Sequence, residues 1–161
     1  FVMRAWYDIV SPDFAPGREE GEHVRESTRQ VEALLARENS RGIPDERIVL
    51  AGFSQGGVIA LHCGLRHSRR LAGILALSCY LPQADTLADE AQAANGDVPI
   101  FMAHGRADPV IPYDLGKQSA KLLQARGYPL QWRGYATAHS VCLEELEDIG
   151  GWLNQVLAAT F

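Results

Sequence analysis

Four short apolar runs recur along the chain, at residues 48–53 (IVLAGF), 71–78 (LAGILALS), 99–104 (PIFMAH) and 130–135 (LQWRGY). Stretches with helical spacing lie beside them, at 18–38, 57–66, 113–126 and 143–157. In the first of these Val24, Val31, Leu34 and Leu35 fall on one stripe. Strands without polar alternation must be covered on both faces, and strands interleaved with helices point to a parallel sheet with helices on both sides. The fold class is therefore α/β, with a mostly parallel sheet. Residues 1–17 and 79–98 read as loops, and no repeat, low-complexity tract or linker divides 1–161, which is read as one domain. Four strands make a small sheet for this architecture. The N-terminal strands are expected to precede Phe1, since FVMRAWYD has no initiation context.

Several function classes are disfavoured by bulk properties. A net charge of −5 with no Lys/Arg run argues against nucleic acid as a partner. No apolar stretch approaches the roughly 20 residues of a membrane span, so no integral membrane association is expected. Three widely spaced cysteines, Cys63, Cys79 and Cys142, suggest buried, reduced thiols and a cytoplasmic location.

The segment AGFSQGG (51–57) follows the first apolar run and precedes a helix. A serine hydroxyl needs a base to take its proton, and the base needs a carboxylate to hold its tautomer. In open α/β sheets such groups gather at the carboxyl ends of strands. Ser54 stands at such an end, and Gly52 and Gly56 are expected to approach each other where side chains would collide. The pattern G-x-S-x-G alone arises by chance in about one chain in twenty of this size. The helix beginning after Ser54 also favours developing negative charge.

The acid is expected after a later strand, and Asp108 follows PIFMAH in a loop fixed by Pro109. Asp114 reads as a first-turn helix residue instead. The base is expected last, and His139 lies four residues beyond Tyr135. The order Ser54, Asp108, His139 is that of α/β-hydrolases. His23 reads as solvated, and His62 and His67 as facing away from the serine. His104 reads as a packing or loop-fixing residue. A His104/Asp108 metal pair lacks further ligands, so no metal or other cofactor is expected. Cys142 reads as a buried thiol starting the last helix.

GIPDERIVLAGFSQGG resembles the nucleophile segment of the phospholipase/carboxylesterase group of α/β-hydrolases, which includes acyl-protein thioesterases. LAGILALSCYLP, HGRADPVIP, YATAHSV and WYDIVSPD are similar to further segments of that family, in family order. The resemblance implies Ser54 as nucleophile, Asp108 as acid, His139 as base and the Gln55 backbone N–H as an oxyanion donor. It also implies an acyl pocket drawing on Trp6, Tyr80, Leu81, Val110, Ile111 and Val141. One departure stands out: the family's H-G-x-G loop, which supplies a second oxyanion donor, is absent from this sequence and is expected upstream. The function expected is hydrolysis of small carboxylic esters, acyl thioesters or lysophospholipids through an acyl-enzyme. A homodimer is compatible with the resemblance. Two other readings stay open at this point, a non-catalytic interaction protein with a relic triad and a peptidase on the same fold.

Overall fold

The computed structural model describes residues 4–8 and 18–158. The described residues form one four-stranded sheet, with β1 (Val49–Phe53), β2 (Gly73–Leu77), β3 (Ile100–Gly105) and β4 (Leu130–Tyr135) side by side in that order. Every pairing is parallel, with Phe53 beside Leu77, Leu77 beside Ala103, and Ala103 beside Arg133. All strands therefore end at one edge of the sheet, where their following loops meet. Five helices accompany them: α1 (Arg18–Ser40), α2 (Gln55–Arg66), the single turn α3 (Leu87–Glu90), α4 (Tyr113–Ala125) and α5 (Leu143–Ala158).

Alternation along the strands divides the core into two layers. Ile74, Ala76, Ile100 and Met102 point to one face, where they meet Val58, Leu61 and Leu65 of α2 and Leu123 of α4. Val24 and Leu35 of α1 belong to the same layer, and α1 packs over α2. Leu75, Leu77, Phe101, Ala103 and Tyr135 point to the opposite face, under Ile149, Trp152 and Val156 of α5. β2 and β3 are buried at every residue, whereas β1 and β4 flank the sheet and are partly open. A largely apolar hollow of about 510 Å³ follows the side of β1 that pairs with no described strand, bounded by Trp6, Leu34, Leu50, Phe53 and Gly56.

The region 79–98, read as loop, contains α3 and a 3-10 turn at Ala93–Asn95. Helix α2 starts at Gln55, two residues earlier than the sequence pattern suggests, so it begins directly behind Ser54. Of residues 1–17 only 4–8 are described, and these have neither strand nor helix.

Three histidines serve the framework or the surface. His23 is exposed on α1. His62 is buried, with Nδ1 2.8 Å from Thr28 Oγ1 and Nε2 2.8 Å from Gln83 Oε1. Burial, reinforced by Arg66, pushes its pKa down to about 4. His67 lies between two carboxylates, its Nδ1 2.9 Å from Glu32 and its Nε2 2.8 Å from Asp45. That bridge ties α1 to the chain just after α2.

The three cysteines are free thiols. Cys63 and Cys79 are buried, and desolvation raises both pKa values well above the usual thiol range, which leaves them unreactive. Cys142 differs from its sequence reading. It immediately precedes α5, and it is only partly buried, packed against the core beneath that helix. No helix among the described residues is long and apolar enough to cross a membrane.

Candidate active site

The turn at the end of β1 places Ser54 in a conformation that side chains rarely adopt, with φ 55° and ψ −122°. Such a backbone costs on the order of 1–3 kcal/mol and persists only where its surroundings impose it. Here the Ser54 N–H donates to the Leu77 carbonyl at the end of β2 (2.8 Å), and the Ser54 carbonyl accepts from Gly57 and Val58 of α2 (3.0 and 3.2 Å). The two flanking glycines turn out to be unequal. A Cβ on Gly52 would lie 2.1 Å from the Gly56 carbonyl group, an impossible contact. A Cβ on Gly56 would meet only Trp6 Nε1, at 3.6 Å. Only the first glycine is demanded by the turn. Gly57 is a further close approach, since its Cβ would come within 2.7 Å of Cys79 Sγ.

His139 bridges the serine and the acid. Its Nε2 stands 3.0 Å from Ser54 Oγ and its Nδ1 2.7 Å from Asp108 Oδ2. A carboxylate only accepts, so Nδ1 carries the proton and Nε2 is left to accept from the hydroxyl. The ring is also packed against Phe53, with centroids 4.7 Å apart. The three residues follow β1, β3 and β4, respectively.

The acid and histidine loops are stitched to each other. Arg106 N–H donates to the Tyr135 carbonyl (2.9 Å) and Ala107 N–H to the Thr137 carbonyl (3.1 Å). Gly105 lies directly beneath that crossing, where a Cβ would come 2.0 Å from the Ala138 carbonyl oxygen. Asp108 has a fully buried side chain. Its Oδ1 accepts from the N–H groups of Val110 (2.8 Å) and Ile111 (3.0 Å). Burial alone would raise its pKa, but the bonds from His139, Ile111 and Val110 outweigh that and hold it below the usual carboxylate range.

His104 is also part of this constellation. Its Nε2 donates to the Ile111 carbonyl (2.9 Å) and lies 3.2 Å from Asp108 Oδ2. It thus fixes the loop that carries the acid. No group of three or more His, Cys, Asp or Glu side chains among the described residues is arranged to hold a metal ion.

Gln55 is the first residue of α2. Its backbone N–H is one of the donors that a helix start leaves without an intrahelical partner, and it lies next to Ser54. The Gln55 side chain makes two hydrogen bonds to the backbone of residues 6 and 7, which the sequence reading missed. Nothing in residue spacing signals a contact between positions 48 and 49 apart.

The six residues expected around the acyl group are dispersed. Trp6 is exposed beside Gly56 and borders the hollow along β1. Val110 and Val141 are exposed on the acid and histidine loops. Tyr80, Leu81 and Ile111 are buried in the core. The Tyr80 hydroxyl is engaged with Tyr7 and Glu20, and Leu81 lines a separate hollow of about 320 Å³ with Glu20 and Val24.

The family profile for phospholipases and carboxylesterases matches residues 1–157. Acyl-protein thioesterase 1 of Gibberella zeae is 38% identical over 162 residues, which cover 96% of this chain and 69% of that protein. Acyl-protein thioesterase 1 of Neurospora crassa is 42% identical, over 96% of this chain and 66% of its own length. Among solved structures, Arabidopsis thaliana SOBER1 superimposes with a TM-score of 0.89 at 26% identity, covering 98% of this chain and 76% of that one. Zea mays acyl-protein thioesterase 2 gives 0.81 at 26% identity, over 95% and 72%. The chain thus spans about two-thirds of the length of the two fungal relatives. By sequence profile and by fold, it belongs to the phospholipase/carboxylesterase family of α/β-hydrolases.

Proposed function

We propose that this chain carries the catalytic residues of a serine hydrolase that cleaves carboxylic esters and acyl thioesters. The observation that supports it most is the single bridge made by His139, 3.0 Å from Ser54 Oγ and 2.7 Å from Asp108. His139 Nε2 takes the hydroxyl proton as Ser54 Oγ attacks the acyl carbonyl carbon. The resulting imidazolium is stabilised by Asp108, already ionised. The carbonyl oxygen becomes an oxyanion beside the Gln55 N–H and the start of α2. Collapse breaks the bond to the alcohol or thiol, which leaves with the proton from His139. Water then attacks the acyl-serine by the same route, with His139 again taking and returning the proton. Trp6, Val110 and Val141 are the proposed contacts for the acyl group, since they are exposed around this centre. The thioester reading draws on the fungal relatives, which are named acyl-protein thioesterases.

The side of β1 that pairs with no described strand supports a second element of this reading. An open apolar sheet edge invites another strand, and the hollow beside it is bounded by Leu34, Leu50 and Phe53. We infer that further strands of the same domain cover that edge and bring the second oxyanion donor. A polypeptide of residues 1–161 alone is then expected to show far below full activity, because one missing oxyanion donor costs about 10²–10³ in turnover. A cooperatively folded, fully active fragment would overturn this inference.

The test of the main proposal is Ser54→Ala in the full-length protein, assayed with a short-chain aryl ester and an acyl thioester. Loss of turnover by about 10⁴ or more is expected. Undiminished hydrolysis of both substrates would eliminate the assignment.

A further inference from the structure

Residues 6 and 7 belong to no strand or helix, yet their backbone polar groups are held by side chains from elsewhere in the fold. Trp6 N–H donates to Gln55 Oε1 (3.1 Å), and Gln55 Nε2 donates to the Tyr7 carbonyl (2.9 Å). One primary amide thus supplies both a donor and an acceptor to adjacent residues, as a neighbouring strand would. Ser27 Oγ donates to the Trp6 carbonyl. The Tyr7 ring is anchored separately, its hydroxyl 3.1 Å from that of Tyr80, which donates to the buried Glu20 at 3.0 Å. The indole consequently stands beside Gly56, two residues past Ser54, and borders the same hollow as Phe53, the residue packed on His139.

We propose that the Gln55 side chain is a positioning residue that fixes the Trp6 indole as a wall of the acyl site, so that it sets acyl-chain selectivity. This rests on the reading of Ser54 as the nucleophile. The role is separate from the one given to the Gln55 backbone N–H, because the Ala and Glu substitutions both keep that N–H. Main chain and side chain of one residue therefore act on different parts of the substrate, the carbonyl oxygen and the acyl tail. The Gly56 position fits this division. Its missing side chain leaves space that the indole edge approaches without a steric demand from the turn.

The experiment uses the full-length protein with Gln55→Ala, Gln55→Glu and Trp6→Ala variants. Hydrogen exchange at the Trp6 amide is measured together with kcat/KM for 4-nitrophenyl acetate and octanoate. A net hydrogen bond of 0.5–1.5 kcal/mol corresponds to a change of about two- to thirteenfold. Gln55→Ala is expected to speed Trp6 amide exchange about two- to thirteenfold and to lower the octanoate/acetate ratio of kcat/KM by about the same factor. Gln55→Glu keeps the acceptor for Trp6 N–H but loses the donor to Tyr7. It should retain slow Trp6 exchange while losing part of the selectivity. Trp6→Ala should lose selectivity with Gln55 intact. Unchanged Trp6 exchange in Gln55→Ala would overturn the clamp. Equal losses on both esters, or an unaltered ratio in Trp6→Ala, would overturn its role in selectivity. Labelling of wild-type Ser54 by a fluorophosphonate separates the two layers. If Ser54 fails to label, the nucleophile reading falls, whereas the exchange measurement still judges the clamp.

Discussion

His104 Nε2 lies 3.2 Å from Asp108 Oδ2, and both side chains are fully buried. The same ring nitrogen donates to the Ile111 carbonyl, so His104 grips the acid loop at two points. His104→Ala is expected to destabilise the fold by about 2–4 kcal/mol, through a cavity and an unpaired carbonyl. It should also lower kcat roughly tenfold through a displaced Asp108. Thermal unfolding and ester turnover measured together check this. His104→Gln, which can still donate, should recover part of both.

The two glycines around Ser54 should respond differently to substitution. Gly52→Ala drives a methyl group into the backbone of Gly56, so Ser54 is expected to lose fluorophosphonate labelling along with more than about 3 kcal/mol of stability. Gly56→Ala meets only the Trp6 indole edge and should remain folded and labelled. Equal damage from both variants would contradict the observed geometry.

Gly105→Ala tests the crossing of the acid and histidine loops. Its Cβ has no room beneath the Ala138 carbonyl, and His139 is the next residue. A displacement of about 1 Å at the base can cost 10²-fold in rate. Turnover is therefore expected to fall about 10²-fold while the Gln55–Trp6 contact, measured by Trp6 amide exchange, stays as in wild type.

Glu145 supplies a pH test. It is buried in the first turn of α5, and desolvation raises its pKa against a smaller opposing effect of the Cys142 backbone N–H. A carboxyl with a higher pKa in the folded state binds more protons there than when unfolded. Its contribution to stability therefore falls as pH rises from the unfolded value through the folded one. Glu145→Gln removes that penalty. The variant should melt at higher temperature than wild type at pH 7.5, and the difference should shrink towards pH 4, near the unfolded carboxyl value of about 4.3.

The strands and long helices were legible because their periodicity is local. Leu75 and Leu77 face one layer and Ile74 and Ala76 the other, so β2 is apolar throughout and stands out in any short window. Ser54, Asp108 and His139 were legible as candidates because each follows a strand in a parallel sheet, and such a sheet gathers its strand ends. What escaped were relationships between segments far apart in sequence. The Gln55 amide on residues 6 and 7 is one case. For His104 the sequence shows the nearness to Asp108 but not the bond to the Ile111 carbonyl, which depends on how the loop folds back. The symmetrical steric role given to Gly52 and Gly56 failed because which glycine crowds the turn depends on its three-dimensional path. Tyr80, Leu81 and Ile111, which the resemblance implies as acyl contacts, lie buried in the core. Whether a loop residue points into a site or into the core depends on packing that no window of sequence contains.

The hydrogen bond that arms Ser54 spans 85 residues, and the one that aligns the base spans 31. During synthesis the serine and its strained turn emerge long before His139 exists. β4, the last of the described strands, carries the histidine back across the sheet to a residue on the opposite flank. With strands about 4.8 Å apart, that return covers roughly 14 Å. An unfinished chain therefore holds a hydroxyl with no base to take its proton. On the proposed reading of Ser54, labelling of that serine would therefore report that β1 to β4 have assembled.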